Sequence, residues 1–166
     1  MIRPVTHEDA AAVVDIAVDS GLFPAEASGV VDTMMRDYFA AKRDAGHVCV
    51  VDVADDGASG GRPRAVAYYE PAVAADGTWY LTMIAVRAAG QGAGRGGALM
   101  AHVEDDLRRR QQRLLLVETS GTPDFARTRA FYVRCAYEQE ARVRDYYEPG
   151  DDMVLFRKDV LAGTAV

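Results

Sequence analysis

Two kinds of apolar pattern alternate along the chain. The first is the short run of β-branched and aromatic residues; the second is recurrence every three or four positions. Residues 1–5 (MIRPV) read as a short strand. The stretch THEDAAAVVDIAVDSG then reads as a helix: Thr6 with Asp9 three residues on resembles a capping box, Val14, Ala17 and Val18 recur at helical spacing, and Gly21 can end it. LFPAEASG reads as a loop. A second helix is predicted over about 30–43, where Val31, Met34, Met35, Tyr38 and Phe39 form one apolar stripe, closed by Gly46. HVCVVDVAD, RAVAYYEP and TWYLTMIAV have strand composition, and DDGASGGRP between the first two reads as a loop. In GGALMAHVEDDLRRRQQ, Leu99, Val103 and Leu107 share a helix face. RLLLVE is a continuous apolar run, which predicts a buried strand. PDFARTRAFYVRC reads as a helix with Pro123 near its first turn. EARVRDYY and DMVLFRKDV read as a hairpin joined by EPGD. The predicted order is β-α-α-β-β-β-α-β-α-β-β. It describes a mixed α/β fold with a twisted sheet of six to seven strands flanked by four helices. There is no repeat, linker or low-complexity tract, so one domain over 1–166 is expected.

Composition narrows the function. A net charge of −6 over 166 residues argues against a nucleic-acid surface, which needs a basic face. Arg108, Arg109, Arg110 and Arg113 form the one basic cluster, and they read as cations at a helix C-terminus. No apolar run approaches the roughly 20 residues that span a bilayer, and no signal peptide is read, so a soluble, cytoplasmic protein without membrane contact is expected. Cys49 and Cys135 lie among apolar residues and read as buried structural thiols. His7, His47 and His102 have no partner at zinc-ligand spacing; they read as surface or capping residues, and no metal is expected.

The chemistry lies in VRAAGQGAGRGGALM, residues 86–100. Glycine is costly inside regular structure, so this cluster signals backbone that approaches something closely. Gly92, Gly94 and Gly97 match G-x-G-x-x-G, and Glu118 ends the next strand about 20 residues on, as in a Rossmann-type dinucleotide site. Context opposes that reading: RAAGQ separates Val86 from Gly92, and too few βα units follow. A P-loop is set aside because no Lys-Ser or Lys-Thr follows the glycines. The remaining reading is an anion site at a helix N-terminus, where free N–H groups and the helix dipole face a pyrophosphate.

QGAGRG (Gln91 to Gly96) matches the Arg/Gln-x-x-Gly-x-Gly/Ala signature, a few residues beyond a strand with a helix beginning inside it. With IRPVTHEDA at the start and RAFYVRCAYE near the end, the chain resembles the GNAT superfamily of N-acetyltransferases over nearly its whole length. The resemblance implies the GNAT fold and acetyl-CoA as cosubstrate, held where two parallel strands, TMIAV and RLLLVE, splay apart. It implies that Ile84, Ala85 and Val86 offer main-chain groups to the pantetheine arm, and that Ile84 or its neighbour gives the oxyanion contact. Gln91, Gly92, Ala93, Gly94, Arg95, Gly96 and Gly97 would hold the pyrophosphate. Tyr132, in AFY, matches the family tyrosine near the CoA sulfur, the acid for the leaving thiolate. The base is open between Glu118, which closes a strand whose burial would make it a stronger base, and Glu70 in YYEP. Tyr146 and Tyr147 on the last hairpin would border the acceptor, a primary amine of a small molecule or peptide. RDYYEPGDD is also similar to the tyrosine-bearing hairpin of N-terminal peptide acetyltransferases. Two positions depart from the family pattern. The asparagine expected after LLLVE is absent, leaving Ser120 or Thr128 as replacements; and Ala136 replaces the glycine after the FY helix, which implies a less left-handed helix end. A non-catalytic acyl-CoA-binding or regulatory domain is the alternative, and a homodimer is left open.

Overall fold

A computed structural model describes residues 1–54 and 61–162; most of the loop expected over 55–63 lies outside them. The elements are β1 (Ile2–Pro4), α1 (Ala10–Asp19), α2 (Ser28–Asp37), β2 (Val48–Val53), β3 (Pro63–Pro71), β4 (Thr78–Val86), α3 (Arg95–Arg109), β5 (Leu114–Ser120), α4 (Ala126–Arg134), β6 (Glu138–Glu148) and β7 (Asp151–Asp159). Their order is the one predicted. The strands form a mixed sheet in the order β1-β2-β3-β4-β5-β7-β6. Pairs β1–β2, β2–β3, β5–β7 and β6–β7 are antiparallel, and β4–β5 is parallel. A Rossmann sheet is mostly parallel, whereas all of these pairs except β4–β5 are antiparallel, so the dinucleotide reading of the glycines falls. Among the described residues no helix is long and apolar enough to cross a membrane.

Two compact units share the chain: residues 1–70 with 83–103, and 71–82 with 104–166. In the first, Asp9 fixes the start of α1. Its Oδ2 accepts the N–H (2.8 Å) and hydroxyl (2.9 Å) of Thr6, and the Arg3 guanidinium forks onto both carboxylate oxygens at 2.6 and 3.0 Å. Burial opposes this charge, but the hydrogen bonds from Arg3 and Thr6 outweigh it and hold the Asp9 pKa below its usual value. The buried face of α1 is Val13, Ile16 and Ala17 rather than Val14, Ala17 and Val18. The segment AAAVVDIAV is apolar around most of its circumference, so spacing alone could not choose the face. α2 begins at Ser28, inside the expected loop, and ends in a widened π-turn over Tyr38–Lys42. Val31, Met35 and Tyr38 from this segment join Val51, Val66, Tyr68, Met83 and Ala85 in the core.

In the second unit β5 buries Leu115 and Val117 but leaves Leu114 and Leu116 half-covered and Glu118 exposed, so the apolar run is an alternating strand. Arg108 and Arg109 lie in the last turn of α3, as expected of cations at a helix C-terminus. Arg108 donates to Asp105, Glu104 and the Val160 carbonyl, and Arg109 and Arg110 pair with Asp106. Cys49 is buried, but Cys135 is only half-buried. After α4 the chain reverses at Ala136, whose φ is 62°, with the Tyr137 N–H donating to the Tyr132 carbonyl at 3.0 Å. The less left-handed end expected for alanine is therefore not what forms: closing this helix end requires the left-handed conformation whichever residue occupies it. β6 is an edge strand with register breaks between Gln139 and Ala141 and between Val143 and Glu148. The second break lifts Tyr146 and Tyr147 out of the ladder. Asp152 braces it by accepting from Arg142 Nε (2.6 Å) and the Asp145 N–H (3.0 Å).

Candidate functional site

In the first unit β4 leads directly into the glycine loop. Ala85 is buried in the core, while Ile84 and Val86 are half-buried. The start of β4, in the second unit, pairs in parallel with β5 at Thr78–Leu114, Trp79–Leu115 and Tyr80–Leu116. The loop is tied to the end of α1 by contacts across the chain. Gln91 Nε2 donates to the Ser20 and Val86 carbonyls, each at 3.1 Å, and the Ala88 N–H donates to Asp19 Oδ2 at 2.9 Å. Gly92 and Gly94 have φ of 80° and 79°, and a Cβ on either would meet open space. The glycines thus serve backbone conformation and leave the loop uncovered; Gln91 to Gly94 are exposed. Among the described residues, none of the N–H groups from Gly92 to Gly97 has a backbone acceptor, and the Ala98 N–H is the first to be satisfied, by Gly94 at 3.0 Å. A run of unpaired donors at the head of a 15-residue helix is an anion cradle, so these residues fit a pyrophosphate. The Arg95 side chain turns away to Asp52 Oδ2 at 2.8 Å, and Gly90 leaves room for it: a Cβ there would lie 3.3 Å from Arg95 Cδ. Sequence reasoning missed Asp19, Ser20 and Asp52, because each acts over a long stretch of chain. The position of Gly90 before the signature was the only available signal.

Glu70 also lies in this unit, at the end of β3, and it is engaged. Its Oε2 is 2.9 Å from His47 Nδ1, which is also 2.8 Å from the Tyr68 hydroxyl. His47, expected to be a surface or capping residue, is half-buried within a polar cluster. That partnership counts against Glu70 as a free proton acceptor.

The second unit holds Tyr132, Glu118, Tyr146 and Tyr147. Tyr132 lies in the last turn of α4, with its ring tilted against Phe156 (5.5 Å between centroids) and Tyr137 (6.0 Å). The residue is 4% exposed. Its hydroxyl has no hydrogen-bond partner among the described residues. Burial, and then the neighbouring Cys135 thiol, push the phenol well above its ordinary pKa, so it keeps its proton. Glu118 is exposed, faces Leu155 across the ladder and has no hydrogen-bond or ion-pair partner among the described residues. The burial expected for it is absent because it alternates with Leu115 and Val117. Tyr146 and Tyr147 meet edge to face at 4.9 Å and are 53% and 46% exposed. Burial and then the charge of Glu118 push the Tyr147 phenol up to about 12. Ser120 is not free to replace the missing asparagine. Its hydroxyl donates to Asp151 Oδ1 (2.6 Å) and accepts from the Thr122 N–H (3.1 Å) and Oγ1 (2.8 Å), which fills its bonding capacity. Thr128 lies half-buried on α4. Among the described residues no group of three His, Cys, Asp or Glu is placed to hold a metal ion.

Comparison with known proteins agrees with the fold. A GNAT-family protein from Desulfovibrio desulfuricans is 33% identical, with 96% of this chain and 98% of that one covered and a TM-score of 0.88. The ribosomal-protein-S18-alanine N-acetyltransferase of Escherichia coli is 20% identical over 100% of this chain and 97% of its own, with a TM-score of 0.73. The yncA protein of Salmonella typhimurium, solved with acetyl-CoA, is 18% identical over 100% and 96%, with a TM-score of 0.75; these last two likenesses are of fold alone. No curated protein sequence matches. Residues 11–137 match the family described as "Acetyltransferase (GNAT) family", and with the Desulfovibrio likeness this shows that the chain belongs to the GNAT acetyltransferase family.

Proposed function

We propose that the protein is an acetyl-CoA-dependent N-acetyltransferase acting on a primary amine of a small molecule or peptide. The observation that carries this reading is the glycine loop, with its unpaired N–H groups from Gly92 to Gly97 and no side chain over Gly92 or Gly94. Acetyl-CoA, when bound, supplies an activated thioester carbonyl. The loop from Gln91 to Gly97 binds its pyrophosphate through backbone dipoles, and the tie from Gln91 to Ser20 and Val86 keeps those dipoles in place. The main chain of Ile84, Ala85 and Val86 orients the pantetheine arm, with the N–H of Ile84 or its neighbour as oxyanion donor. Tyr132 would supply its hydroxyl hydrogen to the sulfur as the thioester C–S bond breaks and would be restored by the proton that the attacking amine nitrogen gives up; its raised pKa keeps that hydrogen in place at working pH. Glu118, exposed and unpaired, is favoured over Glu70 as the group that takes the ammonium proton, directly or through water. Tyr146 and Tyr147 offer aromatic faces to the amine. Two unlinked cysteines suit a reducing cytoplasm.

The test is thermal unfolding with CoA, acetyl-CoA and NAD, alongside a screen of amines and peptides for CoA release. CoA and acetyl-CoA should raise the melting temperature by mass action, and NAD should not. Gly94→Asp should abolish the shift with little loss of stability, since aspartate tolerates positive φ better than most residues and its carboxylate would oppose the phosphates. No shift with either CoA species would refute the cofactor reading. A shift without CoA release from any acceptor would favour a non-catalytic acyl-CoA-binding domain.

A further inference from the structure

Four hydrogen bonds converge on the carboxylate of Glu104, on α3. Lys158 Nζ donates to both oxygens at 2.9 and 2.8 Å, the Tyr137 hydroxyl donates to Oε1 at 3.1 Å, and Arg108 donates to Oε2 at 3.1 Å. Glu104 is 5% exposed. A buried carboxylate is expensive unless it is paired and hydrogen-bonded, and this one is both. The loop and Tyr132 do not need it for binding or for donating a proton, so its placement calls for another account.

The partners of Glu104 lead to the last turn of α4. Besides binding Glu104, Lys158 Nζ donates to the carbonyl of Cys135, the residue that caps α4, at 2.9 Å. The same ammonium lies 5.2 Å from the centre of the Tyr137 ring. Tyr137 in turn donates its N–H to the Tyr132 carbonyl at 3.0 Å and packs its ring against that of Tyr132. Both the main chain and the ring of Tyr132 are thus held by groups that Glu104 anchors. α4 has only nine residues, and a helix this short depends on such external contacts. A cation at its C-terminus satisfies a carbonyl that the helix itself leaves open.

We propose that Glu104 and Lys158 are positioning residues for Tyr132, fixing the last turn of α4 so that its hydroxyl is held in one orientation. The proposal rests on the role given to Tyr132 above. A buried ion pair that only stabilised the unit would alter melting but not the environment of one phenol, and this separates the two accounts.

The experiment uses full-length protein labelled with ζ-13C tyrosine, with the Tyr132 signal assigned by its loss in Tyr132→Phe. Glu104→Gln keeps the shape and an oxygen acceptor but removes the charge that holds Lys158. It should move and broaden the Tyr132 signal while the melting shift given by CoA persists. In CoA release from acetyl-CoA, kcat should fall about 10-fold, the scale of a slightly misplaced group, with the KM for acetyl-CoA within about twofold. In the Tyr132→Phe background the same substitution should change kcat less than about twofold, because effects that act through one residue do not add. If Glu104→Gln proves too unstable, Tyr137→Phe, which deletes a single hydroxyl, should move the Tyr132 signal in the same direction. An unmoved Tyr132 signal, or kcat losses that multiply in the double variant, would overturn the proposal. A Tyr132→Phe variant with unaltered kcat would instead overturn the acid role, and the carbon signal would still decide whether Glu104 positions this ring.

Discussion

Ala136→Gly should stabilise the protein. Ala136 sits just past α4 with φ of 62°, a region that costs an L-residue roughly 1–2 kcal/mol because its Cβ crowds the following carbonyl. Glycine removes that cost but makes the unfolded chain more flexible, which takes back about 0.4–1 kcal/mol. The methyl group is exposed, so little apolar burial is lost. The net expectation is a gain of about 0.5–1 kcal/mol. For a protein of this size that corresponds to roughly 1–4 °C in melting temperature, read by circular dichroism at 222 nm. The comparison is Ala136→Val, where a branched side chain in the same conformation should lower the melting temperature by several degrees. A glycine variant that melts at or below the parent temperature would refute the reasoning: the left-handed turn would not then be stored strain, or α4 would end differently in solution.

Three further expectations concern charge and catalysis. Tyr132→Phe keeps the packed ring and removes the hydroxyl hydrogen, so kcat should fall about 10- to 1,000-fold with acetyl-CoA affinity little changed; equal kcat in CoA-release assays would show that the hydroxyl is not used. Glu118→Gln should depress kcat/KM more at neutral than at alkaline pH, where free amine is already abundant, and Glu70→Gln should not; the reverse result would move the base to β3. Arg3→Met removes the fork on Asp9 and should cost about 1–3 kcal/mol at pH 7 by chemical denaturation. The Asp9 pKa is lowered on folding, so that contribution is present above the usual aspartate value of about 4 and is lost as pH falls through the folded value. The two proteins should therefore draw together in stability as the pH falls below the usual aspartate range, and a gap that stays constant through acid titration would contradict the account.

Much of this was legible because composition and spacing act locally. TWYLTMIAV is β4 to the residue, since its branched and aromatic side chains fit no other element as well. The glycine signature located the loop, because positive φ at Gly92 and Gly94 is a demand that sequence displays directly. The illegible parts depend on partners distant in the chain. Asp52 takes the Arg95 side chain from 43 residues away, and His47 meets Glu70 only because β2 and β3 are paired. The exposure of Glu118 was hidden by the apolar run before it, which suggested burial on both faces where the strand has one. The π-turn after α2 and the left-handed Ala136 are backbone outcomes that side-chain pattern does not encode.

The margin of the sheet bears on how the protein tolerates crowding. β6 is the outermost strand, and a long bare margin of N–H and C=O groups is a template on which foreign chains can stack into fibrils. Here the template is spoiled twice over. The register breaks beside Gln139 and Val143 kink the hydrogen-bonding line, and Glu138, Glu140, Arg142 and Arg144 crowd it with charge that an incoming chain would have to strip of water. The displaced Tyr146 and Tyr147 can thus stay exposed without lying on a smooth adhesive edge. Concentrated solutions should remain clear and free of thioflavin-positive material for as long as β6 keeps those kinks and charges.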